Sequence, residues 1–254
     1  MRRSAKELLV YFLLHPEGAS AESAATALWP EVDAERGRAR FWTAMGNLRT
    51  RLRNPQHDKD HDNGKDSDAT VITRRGEHYQ IQDGVLSVDL WDFQAALTEA
   101  NNAAGTPAEA GALTRAAELY RGDLAGEVDY WWAETAREEL HRTALHTLVR
   151  LAELHTTRAE LPPAIDYLQR AVRLDPHAEE IHRRLIRALT TAGRDDEALR
   201  SYRQLAGRLA DIDLEPDEKT ELLVAELQLV SRPHVRRRQQ QARQRQGRTE
   251  RPVN

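Results

Sequence analysis

Several clusters in the 254-residue chain bring chemistry-bearing side chains close together. Asp58, Asp60 and Asp62 alternate as the oxygen ligands of a calcium loop do. That loop also needs glycine at its sixth place and a bidentate acid at its twelfth, where this chain has Asn63 and Ala69. His57 and His61 are four apart, a spacing that joins two imidazoles on a helix, but Asn54-Pro55 and Gly64 argue against a helix there. His177 and His182 are five apart, out of register for a shared metal. Tyr130-Trp131-Trp132 offers rings that either line a ligand pocket or, at helical spacing with Leu140, join a core. No glycine-rich phosphate loop, serine elbow or pair of active-site acids accompanies them. We therefore expect no enzyme, no cofactor and no metal site. The remaining cluster is basic: six arginines and no acid lie between Arg36 and Arg53. A one-signed face of this kind suits the phosphates of nucleic acid, whereas a merely solvated helix face usually mixes its signs.

The elements that must position these groups begin with a helix at Ser4, where Ser4 and Glu7 have capping-box spacing. It stops at His15-Pro16-Glu17-Gly18. The apolar run Leu8–Leu14 behind Met1-Arg2-Arg3 has the outline of a short signal peptide, yet Lys6 and Glu7 abut it and Tyr11 interrupts it, so a buried first helix is expected. The run is far short of the roughly 20 residues a membrane span needs. Ser20 caps a second helix that Trp29-Pro30 closes. A third covers 34–53, with Phe41, Met45, Leu48 and Leu52 on one stripe and Arg36, Arg40, Thr43, Asn47, Thr50 and Arg51 opposite. Residues 54–70 read as a loop. Val71–Ile81 reads as two short strands around a turn at Gly76, with Arg74 and Arg75 just before its tip. Three helices followed by a basic-tipped hairpin is the order of a winged helix-turn-helix, in which the third helix enters the major groove and the wing, 71–82, meets the backbone or minor groove.

From Val88 onward the pattern is nearly all helical, and a 34-residue period emerges: Leu151 maps to Leu185, Ala164 to Ala198 and Leu168 to Tyr202. Leu161-Pro162-Pro163 and Gly193-Arg194-Asp195 fall at helix–helix turns. This is the tetratricopeptide period, in which neither helix of a pair buries its apolar face alone. Residues 89–140 do not hold the register, so an irregular leading helix pair is expected. Charge follows the same division. Residues 1–53 carry nine basic and six acidic side chains, 83–230 carry sixteen and twenty-eight, and 231–254 carry eight and one, within a net charge of -4. The Arg- and Gln-rich extension cannot bury enough apolar surface to fold alone, and we expect it to be a basic disordered tail. The chain has no cysteine, which excludes disulfides and thiolate metal sites and fits a cytoplasmic protein. The fold expected is mainly α, with domains at 1–83, 84–230 and 231–254.

In these residues the chain resembles the Streptomyces antibiotic regulatory proteins (SARPs). Glu7-Leu8-Leu9, Pro16-Glu17-Gly18, Ala27-Leu28-Trp29-Pro30 and Leu48-Arg49 with Leu52 are similar to that family's response-regulator-type winged helix. Val88-Asp89 with Phe93, Leu119-Tyr120-Arg121-Gly122, Trp132 with Arg137, and Asp175-Pro176 with Glu179 and His182 are similar to its bacterial transcriptional activator domain (BTAD). So are Gly193-Arg194 with Glu197-Ala198-Leu199, Tyr202 and Glu215-Pro216. The resemblance implies an activator that binds direct repeats of double-stranded DNA as a homodimer or tandem protomers, with a helical domain for self-association and RNA polymerase contact. It places Arg40, Thr43, Asn47 and Arg51 in the groove or on its phosphates, Arg49 on the backbone or in a structural salt bridge, and Arg74 and Arg75 on the wing. Three departures stand out. The usual N-terminal sheet of the winged helix is lacking, Gly46 and Asn47 stand where arginine is common, and Asp213 replaces a glycine. The missing sheet and Gly46 motivate an alternative: an interaction or signalling module of a larger protein whose winged helix no longer reads DNA.

Overall fold

A computed structural model describes residues 2–52, 71–82, 84–126 and 130–230. The clusters at 57–62, the loop 54–70, Arg53 and the tail 231–254 lie outside the described residues. The chain forms two compact units, the first Met1–Thr143 and the second beginning at Ala144. Among the described residues no helix is long and apolar enough to cross a membrane.

The first unit opens with α1 (Arg3–Leu14), β1 (Ala19–Ser20), α2 (Ala21–Leu28) and α3 (Ala34–Leu52), followed by β2 (Ile72–Arg75) and β3 (His78–Ile81). Every fourth or third residue of α1 and α3 is apolar, so Leu8 and Phe12 meet Phe41, Met45 and Leu48 in a core that Ile72, Tyr79 and Ile81 close from the sheet. Each such side chain contributes roughly 1.5–3 kcal/mol on burial. Ser20 caps α2 as its type predicts, its Oγ accepting from the Ser23 amide at 3.0 Å. Ser4 does not cap α1. The helix starts one residue earlier, with Arg2 as its extended N-cap. Glu7 has a different task. The Trp29 indole is buried and needs an acceptor, which Glu7 Oε2 supplies at 3.2 Å while Oε1 accepts from Arg3 Nε at 2.9 Å.

Strand order is β1-β3-β2, all antiparallel, with Arg75 opposite His78 across the two-residue turn. Gly76 at φ +62° supplies the positive dihedral that such a turn wants in its first place. β1 is too short to show a period, so nothing in its two residues announces a strand. What allows it is Gly18 (φ +92°), where a Cβ would lie 3.1 Å from the Tyr79 carbonyl oxygen.

After the hairpin, α4 (Asp89–Asn102) and α5 (Pro107–Leu119) form the irregular leading pair, packed closely through Ala96, Ala100, Ala112 and Ala116. The Trp91 indole donates to the Leu13 carbonyl at 2.8 Å and so ties α4 to α1. A 3-10 turn, Trp131–Ala133, leads into α6 (Glu134–Thr157), within which the second unit begins.

The second unit continues with α7 (Leu161–Leu174), α8 (Glu179–Thr191), α9 (Asp195–Ala210) and α10 (Glu218–Val230). The 34-residue register is borne out in burial: Leu151 and Leu185, and Ala164 and Ala198, are all in the core. Tyr202, standing where the previous repeat has Leu168, is only half buried because its hydroxyl reaches out to α10 and donates to Glu221 Oε1 at 2.5 Å. That bond pushes the Tyr202 phenol up to about 12. Arg183 docks α10 on α8, its Nη1 donating to Asp217 Oδ2 at 2.7 Å and to Thr220 Oγ1 at 2.8 Å. The architecture is mainly α, a winged helix-turn-helix followed by tetratricopeptide-like helix pairs.

Candidate nucleic-acid interface

α3 is positioned from its first turn. Asp33 Oδ1 accepts from the Arg36 amide at 2.9 Å, an N-cap in the residue before the helix. α3 packs on α2 at Gly37, where an added Cβ would lie 3.5 Å from the Ala25 Cβ. With Phe41, Ala44, Met45 and Leu48 turned inward, the helical advance of about 100° per residue sorts the remaining positions into three strips. Ala39, Thr43, Gly46 and Thr50 run along the middle of the outer face. Arg36, Arg40, Asn47 and Arg51 form one flank, and Arg38, Trp42 and Arg49 form the other.

Each site residue expected from sequence is exposed, except Asn47, which is half buried. Arg36 Nε pairs with Asp33 at 3.4 Å and Arg40 Nη1 with Glu31 at 3.2 Å. Among the described residues Arg38, Arg49, Arg51 and Arg75 have no carboxylate partner, so Arg49 makes no structural salt bridge there. The neutral side chains are turned onto their own helix. Thr43 Oγ1 donates to the Ala39 carbonyl at 3.0 Å, Thr50 Oγ1 to Gly46 at 2.8 Å and Asn47 Nδ2 to Thr43 at 2.8 Å. To reach a base edge each would exchange an exposed bond contributing about 0.5–1.5 kcal/mol. A Cβ at Gly46 would meet nothing within 4 Å, so packing within the described fold does not demand the glycine.

The wing is tied to α3 through an aromatic relay that sequence reasoning missed. The Arg74 guanidinium lies over the Tyr79 ring at 5.8 Å, and Nε donates to the Gly76 carbonyl at 2.7 Å. Tyr79 in turn meets the Trp42 ring edge-on at 5.6 Å and Phe41 at 5.7 Å. Trp42 is 46% exposed and stands between Arg38 and Arg49 on the flank. The available signal was an aromatic off the apolar stripe, at i+4 from one arginine and i−7 from another. The structure thus brings Arg74 beside the Arg38–Arg49 flank. Arg75 alternates away from Tyr79 and has no carboxylate partner among the described residues.

Residues 88–228 match the family described as the bacterial transcriptional activator domain. Among solved structures, the chain is similar to Mycobacterium tuberculosis EmbR, determined in complex with a low-affinity phosphopeptide. The identity is 21% and the TM-score 0.66, over 92% of this chain and 60% of that one. At this identity the likeness is one of fold, and the chain spans about 60% of the length of that protein. No curated protein matches the chain.

Proposed function

The chain belongs to the bacterial transcriptional activator domain family, and on that premise we propose that it is a DNA-binding transcriptional regulator acting as an activator at direct repeats near promoters. Residues 1–83 take the duplex, α3 in the major groove and the wing on the backbone. Residues 84–230 serve self-association, as a dimer or tandem protomers, and contact with RNA polymerase. The basic stretch 231–254 adds phosphate affinity without sequence preference. The observation that carries the reading is the outer face of α3, where Arg38, Arg49 and Arg51, with Arg75 from the wing, have no carboxylate partner among the described residues. Guanidiniums flanking a strip of small residues leave room for a phosphate backbone on either side. Arg36 and Arg40 would exchange Asp33 and Glu31 for phosphate on binding.

The test is selection from random duplexes followed by salt titration, with the full chain and with residues 1–230. Convergence on a repeated site supports a regulator. Replacing Arg38, Arg49 and Arg51 with alanine should lower the slope of log K against log salt by about 2.7, at roughly 0.9 per phosphate contact. Arg74→Ala with Arg75→Ala should weaken all duplexes alike, because wing arginines meet mostly phosphate. Binding that vanishes with 231–254 and never converges would leave the winged helix a scaffold and favour the interaction-module reading.

A further inference from the structure

A cavity of about 710 Å³, within the range of small-molecule sites, opens beside the N-terminal half of α3 in the first unit. Its wall combines Arg3, Glu7 and Trp29 with Arg40 and Thr43 of α3 and with the Tyr130–Trp132 segment. That segment is anchored at both ends. The Tyr130 ring is 2% exposed, and Trp132 stacks on it at 5.4 Å and meets Tyr11 edge-on at 5.8 Å. Trp131, held between these two, is 63% exposed. An indole offered to solvent by rigid neighbours at a cavity wall is a stacking platform.

The polar inventory decides what would stack there. Both Glu7 oxygens are engaged, one by Arg3 and one by the Trp29 indole, and Glu31 accepts from Arg40. Each guanidinium has five N–H donors, and each spends only one of them in these contacts. The Tyr130 hydroxyl makes no hydrogen bond to any described residue although the ring is almost wholly buried. Burial and the nearby Glu7 charge push that phenol up, so it remains a donor at neutral pH. The donors left over, on two guanidiniums and the Tyr130 hydroxyl, outnumber the one carboxylate oxygen of the wall, Glu31 Oε2, that accepts from no described residue.

We infer that this cavity takes a planar aromatic anion, its ring on Trp131 and its acidic group on Arg3, Arg40 and the Tyr130 hydroxyl. Arg40 and Thr43 are also on the face proposed for DNA, so ligand and duplex compete for them; this clause rests on the DNA-binding reading, whereas the cavity does not.

Anilinonaphthalene sulfonate, an aromatic anion whose emission rises on sequestration, is the probe. Titrated into the full chain, it should bind saturably at one site. Trp131→Ala and Arg3→Ala should each raise its Kd about tenfold, and Tyr130→Phe, which keeps the ring and removes the donor, severalfold. Leu222→Ala, an exposed apolar side chain of α10 outside the cavity, should leave it unchanged, and thermal melts should verify that each variant folds. Equal binding by wild type and the cavity variants overturns the site, the probe then being an adventitious additive only. Saturating duplex should raise the probe Kd; loss at Trp131→Ala with no competition would overturn the shared use of Arg40 and Thr43. A chain that binds no duplex refutes the DNA-binding reading, and the probe titration still judges the cavity.

Discussion

Three helices of the second unit end in the same way, and the residues at the turning point invite an exchange. Glu160 donates its amide to the His155 carbonyl at 2.9 Å, Arg194 to Leu189 at 2.8 Å and Leu214 to Leu209 at 2.9 Å. The residue before each donor is left-handed: Ala159 at φ +58°, Gly193 at +73° and Asp213 at +57°. These are Schellman ends, and the first two stand 34 residues apart, the repeat itself. Alanine in this conformation costs about 1–2 kcal/mol relative to glycine. Glycine gives back about 0.4–1 kcal/mol through its freer unfolded chain. Ala159→Gly should therefore stabilise by about 0.5–1 kcal/mol, and Gly193→Ala should destabilise by a similar amount, since a Cβ at Gly193 would meet nothing within 4 Å. Asp213→Gly should gain less than Ala159→Gly, because aspartate visits the left-handed region more readily. By calorimetry the single changes should shift Tm by about 1–4 °C in opposite directions. A stabilising Gly193→Ala, or an Ala159→Gly that lowers Tm, would refute the dihedral argument and with it the equivalence of the two turns.

Other expectations follow from the buried polar groups and the relay. His182 is fully buried, its Nε2–H donating to the Pro176 carbonyl at 3.2 Å and Nδ1 3.1 Å from Ser201 Oγ. Burial, with Arg208 nearby, holds its pKa below the usual 6.5 despite Asp175 and Glu179. A folded pKa below the unfolded one gives stability that is complete above pH 6.5 and is lost as pH falls from there towards the folded pKa. Denaturant midpoints should fall between pH 7 and 5, and His182→Gln should flatten that slope; an unchanged slope would refute the assignment. Trp42→Ala should cost about 0.5–1.5 kcal/mol through the lost ring pair with Tyr79, and hydrogen exchange across Ile72–Ile81 should quicken. Arg183→Met should loosen α10 from α8, leaving Asp217 and Glu180 without their shared cation, and should raise proteolysis at Asp217–Thr220 above wild type.

Much of the fold is legible in one dimension because burial there follows a local period. Phe41, Met45, Leu48 and Leu52 announce α3 and its inward face, and Gly76 between two short apolar–polar runs announces the hairpin. The 34-residue spacing announces the stacked pairs, since each pair needs a neighbour to bury its stripe. The family's motifs, from Val88-Asp89 to Glu215-Pro216, lie on the same chain order. The pairing of Ala159 with Gly193 falls on the same spacing but came from the backbone, since an alanine does not announce a left-handed turn.

What tertiary structure alone decided are contacts between groups distant in sequence or without a period. β1 exists because Gly18 lets two residues approach β3, which two residues cannot signal. Glu7 looked like a capping acid and serves a buried indole 22 positions away. Which arginines of α3 have a carboxylate partner among the described residues depended on Glu31 and Asp33 folding back onto Arg40 and Arg36. The bridge from Arg74 through Tyr79 to Trp42, and the cavity that joins Arg3 to Trp131, required the wing and the segment after α5 to be placed against the helices. The sequence by itself determined the helices, their apolar faces and the family; the packed fold decided which polar side chains are satisfied among the described residues, because those partners lie far apart in sequence.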